Sequence, residues 1–144
     1  MSVTFSDLRA AVASNVANVG GMQLAKMAPE YFLRQQNTIA HKSYTVAVTQ
    51  SNATPERQRR AVGVYVQTNV VVTFAHRLRP LDVYPTDYDA ALDLERDVIN
   101  NVLQTYSANN AFTIRYNSSV RTVGDSQEYI TVALTFTALH TITQ

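Results

Sequence analysis

The sequence has no cysteine and no tryptophan, and only four glycines and four prolines among 144 residues. Without cysteine there is no disulfide framework, no thiol nucleophile and no thiolate metal site. So little Gly and Pro excludes collagen-like and linker-like chains. The glycines stand at 20, 21, 63 and 124, so no Gly-rich phosphate loop is present. An excess of one charge sign is also missing. Twelve Lys and Arg against eleven Asp and Glu leave a net charge of +1, which gives no global electrostatic grip on nucleic acid. No apolar run approaches the roughly 18–20 residues of a membrane span. The N-terminus has no basic region followed by an apolar stretch, so no secretory signal is visible. What remains is 46% apolar and 16% charged, enough for a core and too few charges for a disordered tail. The expectation is one soluble, intracellular α+β domain over residues 1–144.

The first segment reads as a short amphipathic helix. Phe5, Leu8, Val12, Val16 and Val19 recur at helical spacing. Thr4 with Asp7 fits a capping box, Ser6 is a second N-cap candidate, and Gly20-Gly21 is a natural stop. The opposite face, Ala10, Ala13, Ser14 and Ala17, is small enough for close approach by another helix or chain. Residues 22–42 carry Pro29 and the apolar cluster Tyr31-Phe32-Leu33, and read as an extended or single-turn connection. Ser43 to Thr49 alternates as a half-buried strand. Gln50 to Arg60 is polar, contains Pro55 and ends in three Arg within four residues. It is expected to be a loop, mobile in the free subunit and ordered on assembly.

Ala61 to Leu78 is the strongest strand signal, with Val62, Val64, Val66, Val70, Val72, Phe74 and Leu78 on one parity. From Val62 onward it would span about 55 Å at roughly 3.3 Å per residue, far beyond an ordinary strand. The strand must therefore bend near Gln67-Thr68-Asn69 or project from the domain body. Thr86 to about Tyr106 is the main helix, with Thr86 and Asp89 as a second capping box. Ala111 to Val123 and Gln127 to Thr143 form a hairpin around Gly124-Asp125. The order α-β-β-α-β-β predicts a two-layer sandwich, a mainly antiparallel sheet with two helices on one face.

Catalytic signatures are missing. There is no His-Glu-x-x-His, no Gly-x-Ser-x-Gly and no Cys–His combination, so neither a catalytic site, a metal site nor a cofactor is expected. His41, His76 and His140 lie far apart in sequence and read as ordinary strand or loop positions. Asn52-Ala53-Thr54 and Asn117-Ser118-Ser119 match the glycosylation sequon, and without a secretory signal read as chance matches. Glu95 is more informative. It falls among Ala91, Val98, Ile99 and Val102 on the apolar wheel face, so it needs a cationic or hydrogen-bonding partner, with Arg34, Arg77, His76 or a Tyr hydroxyl as candidates. The plainer reading is a structural pair locking helix to sheet, and the sharper one is a pair across a subunit interface.

Charge is unevenly placed. Residues 82–97 hold six acids, Asp82, Asp87, Asp89, Asp93, Glu95 and Asp97, with one base, Arg96; Arg57, Arg59, Arg60, Arg77 and Arg79 lie upstream. The plainer reading is two solvated patches. The functional reading is a head-to-tail interface in which Arg57, Arg59 and Arg60 of one copy meet Asp87, Asp89, Asp93 and Asp97 of the next.

Several strings resemble one family. They are Tyr44-Thr-Val-Ala-Val followed by the Arg-Gln-Arg-Arg loop, the long strand ending Phe74-Ala-His-Arg-Leu-Arg-Pro80, the helix Tyr88-Asp-Ala-Ala-Leu-Asp-Leu-Glu-Arg-Asp-Val98, and the hairpin arm Tyr129-Ile-Thr-Val-Ala-Leu-Thr-Phe136. Together they resemble the tail terminator, or tail completion, proteins of long-tailed bacteriophages and related phage-tail-like particles. The resemblance covers roughly residues 40 to 140. It implies a virion protein that forms a ring, commonly a hexamer, on the head-proximal end of the tail tube. Such a ring stops tube polymerisation and offers the head-attachment surface. Its partners would be its own copies, the tail tube protein and a neck or connector protein. DNA would pass through the bore without sequence readout, and no membrane is implied. The alternatives are a neck or head-completion protein, a small nucleic-acid-binding module, and a small enzyme.

Overall fold

A computed structural model of the chain describes residues 4–20, 22–24, 41–53, 64–78, 84–109, 113–123 and 129–142. The elements are α1 (Phe5–Ala17), β1 (Gln23–Leu24), β2 (Ser43–Ala53), β3 (Val64–Arg77), α2 (Tyr84–Asn109), β4 (Thr113–Val123) and β5 (Tyr129–Ile142). They build an α+β fold in which four long antiparallel strands carry both helices on one face. The two-residue β1 adds a parallel edge to β2. The sheet order is β1-β2-β3-β5-β4. The two hairpins β2–β3 and β4–β5 thus join through their second strands.

Alternation decides which face is covered. Val70, Val72 and Phe74 of β3, Ile130, Val132, Leu134, Phe136 and Ala138 of β5, and Tyr44 and Val46 of β2 all face the helices and are buried. Leu8, Val12 and Val16 of α1 and Ala91, Leu94, Val98 and Val102 of α2 complete the core. Each fully buried Val, Leu or Phe contributes about 1.5–3 kcal/mol, so these two stripes are the main source of stability. The uncovered face carries Thr45, Ala47, Val71, Thr73, Thr131, Ala133 and Thr135, all partly exposed.

The long strand β3 neither projects nor breaks within its described length. All of Val64–Arg77 pairs with β5, and Val66 to Phe74 pairs with β2. A register shift between Val48 and Gln50 adds one residue to β2 opposite Asn69, which lets the paired strands twist together. Gln50–Ala53 extends β2 rather than opening a loop; the rest of the 50–60 loop, 54–60, lies outside the described residues. So do Pro29, the Tyr31-Phe32-Leu33 cluster and Arg34.

Helix ends depart from expectation in two places. Thr4 caps α1 by accepting from the Asp7 N–H at 3.1 Å, as the sequence suggests. The helix ends at Ala17, before the Gly pair, because Asn18 directs its N–H to the Asn15 and Val16 carbonyls. For α2, Thr86 is not an N-cap. The helix begins at Tyr84 with Pro85 in its first turn, where a missing N–H costs nothing and the fixed φ suits the helix. In the C-terminal hairpin Val123 pairs with Ile130; the Gly124-Asp125 turn that the sequence suggests lies outside the described residues.

Parity makes a direct prediction. Phe136→Ala lowers stability by about 3–5 kcal/mol, whereas Thr135→Ala, one residue away on the uncovered face, costs under about 0.5 kcal/mol. Urea unfolding of both variants checks this, and equal losses would contradict the assignment of faces.

Candidate functional site

Helix α2 separates its charges by face. Asp89, Asp93, Arg96 and Asp97 are exposed on the side turned away from the sheet. Arg96 and Asp97 form a loose surface pair at 3.6 Å. Asp87 does not belong with them. It is only 5% exposed, because it sits in the first turn of α2 where that turn meets the β2 and β3 ends. The exposed acidic row is therefore Asp89, Asp93 and Asp97. Arg57, Arg59 and Arg60 lie outside the described residues.

Glu95, on the inward side of α2, is 6% exposed. Its partner is Arg121 of β4, and not Arg77 or His76 as the sequence suggested. Arg121 donates from Nε to Oε1 at 2.7 Å and from Nη2 to Oε2 at 2.6 Å. The two parallel bonds match a planar guanidinium to a planar carboxylate. The hydrogen bond to Glu95 pushes the Arg121 guanidinium further up from its ordinary value. Sheet register supplies the partner: Arg121 pairs with Val132, so it points to the helix-covered face. The Arg121 side chain stays 43% exposed, which makes this a half-solvated tie between α2 and the β4 edge.

A second constellation lies at the opposite side of the sheet. Extending the Tyr44↔Phe74 register by three residues sets His41 opposite Arg77. There the Arg77 N–H donates to His41 Nδ1 at 3.0 Å. His76 Nδ1 lies 2.8 Å from the Arg77 carbonyl oxygen. A backbone N–H can only donate and a carbonyl can only accept. Neutral His41 therefore carries its proton on Nε2, and His76 carries one on Nδ1. The two rings meet edge to face with centroids 4.5 Å apart. Lys42 takes φ 59, in the left-handed region, and is held there by its N–H bond to the Ala75 carbonyl at 2.8 Å. His41, Lys42, His76, Arg77, Thr86, Asp87 and Ala90 enclose a pocket of about 410 Å³.

Electrostatics in this pocket hold His41 neutral. Burial is the largest cause, followed by repulsion from His76, Lys42 and Arg77, with Asp87 opposing; together they lower its pKa to about 4. His140, the third histidine, sits elsewhere. It is 1% exposed, its Nε2 is 2.8 Å from the Thr68 hydroxyl, and that hydroxyl reaches Ser51 Oγ at 3.1 Å. The Phe5 ring packs edge-on against it. These contacts make it a satisfied core histidine. Among the described residues no group of three or more His, Asp or Glu is placed to hold a metal ion, and no helix is long and apolar enough to cross a membrane.

Sequence reading missed the His41–His76 pair because 35 positions separate the two residues. The signal was partial: His76 shares parity with Phe74, and His41 lies two residues before the start of β2. Only the register of the β2–β3 hairpin brings them together.

No family model matches this chain, and no curated protein matches it. A solved structure from Akkermansia muciniphila, of a protein without its transmembrane region, is similar over 100% of this chain and 89% of its own, with 7% identity and a TM-score of 0.36. At that score the likeness carries no argument about fold or function.

Two predictions follow the geometry. Arg121→Met keeps the apolar stem but leaves the buried Glu95 carboxylate without its donors, and lowers stability by about 1–3 kcal/mol. Adding Glu95→Met recovers most of that loss, because the unpaired charge is gone. Denaturant unfolding of the single and double variants checks this. For His41, a folded pKa of about 4 against 6.5 means the fold favours the neutral ring. Its contribution is level above pH 6.5, where both states are neutral. Stability then falls as pH drops from 6.5 towards 4, because the unfolded chain takes up the proton first. His41→Gln should flatten that part of the melting-temperature profile.

Proposed function

We propose that this protein is a structural virion component that forms a ring on the head-proximal end of a phage tail tube, ends tube polymerisation and presents the head-attachment surface. The structural observation that carries the reading is the outer face of α2. Asp89, Asp93 and Asp97 are all exposed along it, while Glu95 of the same helix turns inward to Arg121. An acidic row held rigidly on a 26-residue helix suits a charge-matched contact with a basic segment of a neighbouring copy. Arg57, Arg59 and Arg60 supply such a segment in the sequence. Charge pairs at a rim of this kind set register and association rate, while buried apolar area supplies affinity. The uncovered sheet face, rich in Thr, Ala and Val and with the exposed Arg77 and Arg115 on the same parity, offers further surface. The family-like strings between residues 40 and 140 supply the assignment to the tail.

Arg59→Glu with Arg60→Glu is expected to weaken ring closure or tube capping without unfolding the subunit. Asp93→Lys with Asp97→Lys should restore part of the loss. Particles carrying the weakened protein should have overlong tails or tails that fail to join heads, seen by electron microscopy. Normal, head-joined tails made with the gene deleted would overturn the assignment. Normal-length tails without heads would point instead to a neck protein.

A further inference from the structure

We propose that the His41 imidazole is an acid-sensitive latch on the end of β3, holding the Arg77 peptide while neutral and letting it go when protonated. The latch goes beyond the ring reading and does not rest on it.

His41 stands in for a missing strand. The Arg77 N–H points to the β2 side, where β2 has already left the ladder. Lys42 turns into the left-handed region at φ 59 and directs its own N–H to the Ala75 carbonyl. The His41 ring takes the place of a strand carbonyl, accepting from the Arg77 N–H through Nδ1 at 3.0 Å. His76 Nδ1 meets the Arg77 carbonyl oxygen at 2.8 Å. Both backbone groups of one residue are thus held by imidazoles, and the two rings touch edge to face with centroids 4.5 Å apart.

The two rings answer acid differently. An imidazole that donates from Nδ1 keeps that bond when a second proton arrives at Nε2, so a charged His76 still holds the Arg77 carbonyl. An imidazole that accepts at Nδ1 has no lone pair there once that atom is protonated. Protonated His41 sets one donor against another, and its bond to the Arg77 N–H breaks. The charged groups acting on the ring come from each side of the corner. His76, Lys42 and Arg77 oppose its protonation, and Asp87 of the first turn of α2 favours it. Thr86 and Ala90 line the same corner without charge. Burial is the largest effect and acts with the cations, so the latched ring takes up a proton at about 4, against 6.5 for a free one. Opening is therefore rarest above pH 6.5 and grows as pH falls towards 4, because the opened state binds the proton more tightly. The event is local. Arg77 remains paired with Tyr129 on its other side, so the β3–β5 ladder does not depend on His41.

Amide hydrogen exchange of the full chain tests the latch, read by NMR from about pH 7 to pH 4 and divided by the intrinsic rate at each pH. Arg77 protection is expected to fall about tenfold or more between pH 6.5 and pH 4, the direction and scale set by the two proton affinities of His41. Val72 and Val132, in the core, should keep their protection. His41→Gln retains a neutral acceptor that does not titrate, and should hold Arg77 protection level across the same range. Equal loss at Arg77 and in the core would mean global unfolding and would overturn the latch. So would a wild-type Arg77 amide that stays protected down to pH 4, or a His41→Gln variant whose Arg77 amide follows the wild-type pH profile.

Discussion

The β3–β5 ladder is the constraint on which the remainder of the molecule depends. Fourteen consecutive pairs run from Val64↔Ile142 to Arg77↔Tyr129 without interruption. These two strands are distant in sequence, so their pairing closes a large loop that only extensive burial can offset. The burial is supplied by one parity: Val70, Val72, Phe74, Ile130, Val132, Leu134 and Phe136 are all inaccessible. A slip of one residue would turn every one of them to the uncovered face. The register is therefore held by the core itself, and the outer strands β2 and β4 inherit it through their own hairpins.

Both polar constellations are consequences of that inheritance. On one side, β2 pairs with β3 so that His41 reaches the Arg77 backbone, and the two histidine rings meet beside the first turn of α2. On the other side, β4 pairs with β5 so that Arg121 faces α2 and meets Glu95. The β4 bulge at Asn117 lies between these levels. It sends the Asn117 amide to the Thr137 hydroxyl, which in turn donates to Asn69 Oδ1 at 3.2 Å. This short chain crosses the three strands β4, β5 and β3 on the uncovered face. Elsewhere that face presents mostly β-branched and small side chains.

Division of labour within α2 bears on the proposed assembly. One helix carries a buried stripe, a carboxylate tied to the sheet, a buried carboxylate at its first turn and an exposed acidic row. The Glu95–Arg121 tie resists rolling of the helix on the sheet, because any rotation would pull a nearly buried carboxylate from its only bidentate donor among the described residues. With rotation resisted, Asp89, Asp93 and Asp97 keep a fixed direction relative to the sheet. A surface whose charges hold a fixed geometry can specify a neighbour's register in a closed assembly.

The sequence by itself determined the order of the two helices and four long strands, the alternation of β2, β3 and β5 and the burial of Glu95. Each of these follows from local periodicity, since a period of 2 or 3.6 assigns a residue to a face without reference to partners. It also determined the Thr4 cap, which needs only residues three apart. Tertiary structure alone decided that Arg121 answers Glu95, that His41 meets His76, that β5 lies between β3 and β4, and that Asp87 is buried while Asp89 is not. These depend on register and strand order, which come from pairings between distant segments. Local sequence carries no count of the residues taken up by the turns between those segments. A bulge at Val48/Gln50 or at Tyr116/Ser118 changes which side chains face each other while leaving the alternation on either side of it intact.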